Sequence, residues 1–295
     1  GFVVQSKQYV MNFSKTMLLL IAVNFSAAKT FSQNTVQIKG LIVDEETGVP
    51  LVYASIGILN QPFGTISDTL GNYFFEISNE NINDTLQVSH AGYETKRILL
   101  SEFIKQNDKT IKLAKRIISL QEIVLSNRSG KEEIFGRKAS GKLMQVSLHN
   151  KNSAEMTVGS EMGLRVKTQS PVLLKNVNWY ISANNFRSIK FRVNVYSVKN
   201  NQPDSLLTDE QIFGTVGEYK TGWIQLDLEP YNIKVKDNFI ITIQWIESKT
   251  DNENKPVTMI PAAVSFAKDT YVRIASQDKW KRMGIKLSYF VTVVY

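Results

Sequence analysis

The stretch Val36-Gln-Ile-Lys-Gly-Leu-Ile-Val-Asp-Glu-Glu-Thr-Gly48 decides the fold. Val36, Ile38 and Ile42 alternate with Gln37, Lys39 and Val43, the period of two expected of a strand with one buried face. Asp44-Glu-Glu-Thr-Gly48 then supplies a turn. Asp44 can bond forward onto the turn backbone, and Gly48 can take the positive φ that tight turns demand. Ala54, Ile56 and Ile58 alternate next. Ser67-Asp68-Thr-Leu-Gly71-Asn72 is a second turn and opens onto Tyr73, Phe75 and Ile77. Leu86 and Val88 follow, then Gly92-Tyr93, then Ile98 with Leu100 and Ile111 with Leu113. Ser101 to Gln106 has room for one helical turn. Seven or so short strands with polar turns predict a small β-sandwich over residues 34–125.

The period of two continues in the second half. Met144, Val146 and Leu148 alternate, as do Met162, Leu164 and Val166, and then Val177, Trp179 and Ile181. Ile189-Lys-Phe-Arg-Val-Asn-Val195 alternates strictly. Trp223 to Leu228 and Phe239 to Trp245 read as a further pair, and Leu287 to Tyr295 ends the chain in a strand. Eight to ten strands here predict a second, jelly-roll-like β-sandwich over 143–295, so the fold class is all-β. The polar, glycine-bearing segment 126–142 reads as the linker.

The first half resembles carboxypeptidase regulatory-like domains, which are transthyretin-like in fold. The similarity runs through Val36 to Asp44, Thr47-Gly-Val-Pro-Leu51, Ala54-Ser-Ile56, Gly64-Thr65, Ser67-Asp68, Gly71-Asn-Tyr-Phe74, Leu86 to His90 and Gly92-Tyr-Glu94. Such domains also form N-terminal extensions of TonB-dependent receptors in Bacteroidetes, and Leu120 to Leu125 is similar to the strand that ends those extensions. The resemblance covers about residues 35–125 and implies a fold. No receptor or peptidase activity is expected to carry over, since the resemblance reaches neither a barrel nor a catalytic domain.

Lys15, the apolar run Thr16 to Val23 and the small residues Ser26, Ala27 and Ala28 form a secretory signal pattern. Residues 1–33 are therefore expected to be signal peptide and upstream residues, with Met11 a candidate start. The apolar run is too short to span a bilayer. The expected location is periplasmic or outer-membrane-associated, with no transmembrane segment in the mature chain. The absence of cysteine excludes disulfides, thiolate metal sites and a cysteine nucleophile. Charge is uneven: residues 34–125 hold 8 Lys+Arg against 11 Asp+Glu, and residues 126–295 hold 24 against 16. The basic excess suits anionic glycan, lipid headgroups or an acidic partner. It lacks a dense run and so reads first as a mixed, solvated surface. Export disfavours nucleic acid.

Chemistry is scarce. His90 and His149 are the two histidines, and neither has the acid spacing of a zinc peptidase or a serine elbow beside it. Asp227 and Glu229 stand two apart near a strand end and are the best candidates for a glycosidase pair. Asp44, Asp68 with Asn72, and Asp251 read as turn chemistry rather than calcium ligands. No catalytic, cofactor or metal residue is predicted. All four tryptophans lie in the second half. Trp179 and Trp245 share register with apolar neighbours and belong to the core. Trp223 and Trp280 are freer, and Lys279-Trp-Lys-Arg282 is the best basic–aromatic cluster. Ligand or partner contact is expected at Trp223, Trp280, Lys279, Lys281 and Arg282.

These features predict a non-catalytic binding or accessory protein acting through protein–protein contacts in the cell envelope, its partner an outer-membrane or periplasmic complex. The first sandwich would be a spacer or docking module. Carbohydrate binding by exposed aromatics of the second sandwich is one alternative, and a glycan hydrolase another.

Overall fold

The computed structural model describes residues 35–117, 130–141, 143–147, 158–251 and 257–295. The signal segment, the strand expected at Leu120 to Leu125, and His149 lie outside the described residues.

The first sandwich contains β1 (Thr35–Asp44), β2 (Ser55–Ile58), β3 (Gly64–Ile66), β4 (Asn72–Ser78), β5 (Thr85–Ser89), β6 (Lys96–Leu99) and β7 (Thr110–Leu113). One helical turn, α1 (Leu100–Phe103), lies between β6 and β7. The sheets run β4-β1-β7 and β3-β2-β5-β6. Ile42, Ile56, Ile58, Ile77, Leu86 and Val88 fill the space between them and are fully buried or nearly so. The opening stretch behaves as its pattern requires. Asp44 Oδ1 accepts the backbone N–H groups of Glu46 and Thr47 at 2.9 and 2.8 Å. Its other oxygen accepts the Tyr93 hydroxyl at 2.8 Å, so the Gly92-Tyr93 bend locks the Asp44 turn. These bonds hold the Asp44 carboxyl far below its usual range.

The second sandwich begins earlier than expected. β8 (Glu132–Gly136) falls within the segment read as linker, yet it pairs antiparallel with the C-terminal strand β23 (Tyr289–Val294). Charged and glycine residues hide this strand in the sequence. Phe135 packs on the core, and the pairing covers an edge of β23 that would otherwise stay open. β9 (Met144–Val146), β10 (Glu161–Val166), β11 (Val172–Ile181), β12 (Ala183–Asn184), β13 (Phe186–Lys199), β14 (Gln202–Leu206) and β15 (Ile212–Gly217) follow. Then come β16 (Gly222–Asp227), β17 (Lys234–Val235), β18 (Phe239–Thr250), β19 (Thr258–Val264), β20 (Thr270–Arg273), β21 (Lys281–Met283) and β22 (Ile285–Leu287). The sequence suggested eight to ten strands. Sixteen are present among the described residues, and five of them have only two or three residues, too short to show a clear period.

A seven-stranded sheet, β14-β13-β18-β10-β20-β21 with β15 also on β13, faces a five-stranded sheet, β16-β11-β23-β8 with β17 on β11. A small sheet built on β19 closes one side. Trp179, Phe191, Trp245, Tyr289 and their aliphatic neighbours form the core between the sheets. Trp179 and Trp245 are buried, as their register predicts. Phe191 meets both rings edge-on, with centroids 5.7 and 5.4 Å away.

Residues Val36–Tyr295 form one compact unit. The first sandwich sits on the outer face of the seven-stranded sheet. There the strict alternation of β13 turns Arg192, Asn194 and Tyr196 away from the core. Register sets Arg192, Gln244, Glu161 and Arg273 side by side across four strands. All four are buried. Arg192 donates to Tyr53 O at 2.5 Å and to Ser55 Oγ at 2.7 Å in the first sandwich. It also reaches Gln244 Oε1 at 2.6 Å. Burial pulls its guanidinium down to about 10. Arg273 pairs with Glu161 at 2.5 Å. Gln277 donates to Ser89 Oγ at 2.9 Å and accepts from Gln87 at 2.6 Å. The apolar share of the joint is small: Tyr53, Ile66 and Ile246, with Val52, Val158 and Phe213 beside them. A Cβ on Gly57 or Gly64 would stand 2.4 or 2.1 Å from Ser276 O, so only glycine allows this approach.

Candidate functional site

The outer face of the five-stranded sheet is on the far side of the core from the first sandwich. Alternation builds it. On β11, Trp179 and Ile181 point into the core, so Asn176, Asn178 and Tyr180 point out. On β23, Tyr289 and Val291 point in, so Phe290 and Thr292 point out. Register then assembles a grid. Tyr180 stands opposite Trp223, Asn178 between Gln225 and Phe290, and Asn176 between Asp227 and Thr292.

Trp223 is the centre of this face. It meets Tyr180 and Phe290 edge-on, with centroids 5.4 and 5.1 Å away. It remains 36% exposed although both rings hold it in place. Lys138 Nζ lies 5.3 Å from the Phe290 centroid. Gln225 and Asp227 are exposed beside the rings, and Asn176 is half-buried. Asn178 is buried between its neighbours and donates to Asn176 Oδ1 at 2.6 Å. Rigid aromatics flanked by amides, a hydroxyl and a carboxylate can stack on an apolar ring face and bond the hydroxyls around it.

The other sequence candidates go elsewhere. Trp280 is not on this face. It is half-buried on the side of the seven-stranded sheet, 4.5 Å from the Arg273 guanidinium and edge-on to Tyr196 at 5.8 Å. Its ring covers the buried Glu161–Arg273 pair, a packing role that local sequence cannot show. Lys279 is exposed, and Lys281 and Arg282 are exposed on β21. Trp223 and the Lys279–Arg282 cluster therefore do not form one site. Asp227 and Glu229 do not share a strand. The strand ends at Asp227, whose carboxylate accepts the Glu229 backbone N–H at 3.0 Å. Glu229 lies in the following turn, 3.9 Å from Lys175.

His90 is structural. Its ring nitrogens lie 2.7 Å from Ala91 O and 2.9 Å from Gln211 Nε2. Placing the proton on Nδ1 lets the ring donate to Ala91 and accept from Gln211. Burial, aided by the charge of Arg192, holds its pKa below the usual histidine value. Among the described residues no three side chains of metal-ligating type converge.

Tyr180 stood among the second half's aromatics in the sequence, whereas Phe290, Gln225 and Asn176 were not singled out. Their signal was present as alternation, since each aromatic is next to a core aromatic. Which outward residues become neighbours depends on strand pairing.

The fold and this face define an all-β protein of two joined sandwiches. Residues 38–125 match the model of the CarboxypepD_reg-like domain family. Among solved structures, one similar chain holds the cysteine protease and lectin-like domains of Cwp84, a surface-layer-associated protein of Clostridium difficile. Identity is 12% and the TM-score 0.39, over 79% of this chain and 45% of that one. A second is the Clostridial cysteine protease Cwp84 after propeptide cleavage, at 11% identity and a TM-score of 0.40, over 87% and 70%. This chain thus spans under half of the first of these structures. Neither likeness carries a functional argument. No curated protein matches the sequence.

Proposed function

We propose that this is a non-catalytic binding protein of the cell envelope whose second sandwich holds a glycan on the Trp223 face. One observation carries the reading: Trp223, Tyr180 and Phe290 form a fixed aromatic cluster on an open sheet face, with Gln225, Asp227 and Asn176 around it. Trp223 stays 36% exposed within the cluster, which leaves ring surface for a ligand. The first sandwich packs on the other sheet, and among the described residues none covers this face. The secretory pattern of the N-terminal segment supplies the envelope setting.

Titration of the purified chain with a panel of neutral polysaccharides, followed by tryptophan fluorescence and calorimetry, tests this. Binding should depend on Trp223 and not on Trp280. If the chain binds no glycan and instead captures an envelope protein complex, or if it cleaves the glycan, the reading fails.

A further inference from the structure

The basic excess of the second half has a place in the structure. A cavity of about 200 Å³ opens between the sheets, walled by Phe135, Leu164, Leu287 and Tyr289. Arg137, Arg165, Lys167 and Lys286 line it, against the single carboxylate Asp269. Lys167 pairs with Asp269 at 3.4 Å, and Arg165 Nη1 donates to Asn201 at 2.7 Å. Arg165 Nε and Asp269 Oδ1 are both buried without a hydrogen-bond partner, and Lys167 offsets the carboxylate while the guanidinium edge stays unmatched. An unpaired buried donor on a charged group is costly and is relieved by an anionic acceptor.

An apolar fingertip adjoins the cavity. The loop between β19 and β20, residues 265–269, carries Phe266 at its tip, 98% exposed, and Val264 at its base, 68% exposed. Phe266 precedes the cavity residue Asp269 by three positions, a reach of roughly 11 Å at most. The root is fixed: Ser265 N donates to Gly284 O and Arg165 N to Asp269 O, each at 2.9 Å. Arg282 Nε donates to Lys268 O at 3.0 Å, which brings one member of the basic–aromatic cluster to this loop. A fully exposed phenylalanine on a pinned loop, beside a net-positive pocket, is unfavourable in water.

We infer that this edge docks on an anionic lipid surface, with a phosphate headgroup in the cavity and Phe266 entering the acyl boundary. Charge and hydrophobicity each suit that occupant. Cations next to an anionic bilayer are attracted within a Debye length, and an aromatic tip gains by leaving water. A soluble anion would use the cavity but not the fingertip, and a neutral apolar partner would use the fingertip but not the cations. The inference does not depend on the glycan face, which belongs to the other sheet.

The test is flotation of the full chain with phosphatidylcholine vesicles, with and without phosphatidylglycerol, at low and high salt. Binding should require phosphatidylglycerol and weaken with salt. Lys167→Gln combined with Lys286→Gln should lower affinity about twenty-five-fold, at about fivefold per cation. Phe266→Ser should lower it about tenfold or more. All three side chains are exposed, so the variants should keep the wild-type circular dichroism and melting midpoint. Equal binding to neutral vesicles, no binding to either, or indifference to both variants would overturn the inference. So would free glycerol phosphate binding as tightly as vesicles with Phe266→Ser silent, which would mark a soluble-anion site.

Discussion

Across the seven-stranded sheet, Arg192, Gln244, Glu161 and Arg273 stand in a row, covered by the first sandwich at Arg192 and by Trp280 at Arg273. Across the five-stranded sheet, Trp223, Tyr180 and Phe290 stand together on an open face. Both sets face outward from the same core, on strands of similar alternation. The row with the charges is the buried one, and the cluster with the rings is the open one. An outward polar residue is therefore not necessarily a solvated one. The charged row can be buried because each group finds a partner, and those partners come from the first sandwich as well as from neighbouring strands.

The sharpest way to break this comparison is to unbalance the buried row. Glu161→Leu leaves Arg273 buried without its carboxylate and takes the acceptor from Asn194 and Thr242. It should cost about 3–5 kcal/mol of stability in urea denaturation. The same class of change at exposed Asp227 should cost little. Gly64→Ala comes next. Its Cβ would press on Ser276 O, so the sandwiches must part or shift, at about 1–3 kcal/mol. Calorimetry should then resolve two melting steps instead of one, and a single unshifted transition would contradict the close-packed joint. On the open face, Trp223→Ala should leave folding nearly intact and weaken glycan binding by ~2 kcal/mol, about thirtyfold.

The smallest expected effect comes from His90 at the joint. Its folded pKa lies below the ordinary value, so the unfolded chain binds the proton more readily. Stability is then fully present above about pH 6.5 and declines as pH falls through the histidine range. Denaturation midpoints across that range should show the slope, and His90→Asn should flatten it.

Much of the first sandwich is legible in sequence because its information is local. Asp44, Gly48, Asp68 and Gly71 punctuate turns a few residues long, and a carboxylate bonding its own turn needs no distant partner. The core assignment of Trp179 and Trp245 is legible for the same reason, from neighbours two positions away. The candidate face is half legible. Trp223 stood out by itself, but Tyr180 and Phe290 join it only through pairing of strands distant in the chain. Trp280 looked free because the buried ion pair it covers is assembled from Glu161 and Arg273, neither of which lies in its local cluster.

The sequence by itself determined most of the longer strands with their inward faces, the turns of the first domain, and that domain's family resemblance. All of these follow from side-chain periodicity and the φ preferences of a few residues. Only the tertiary structure decided which outward face would be covered. That depends on the fit of two surfaces far apart in sequence: glycines 57 and 64 against Ser276, and Arg192 against the backbone of Tyr53. Such complementarity is a property of pairs, and no single stretch of the chain contains it.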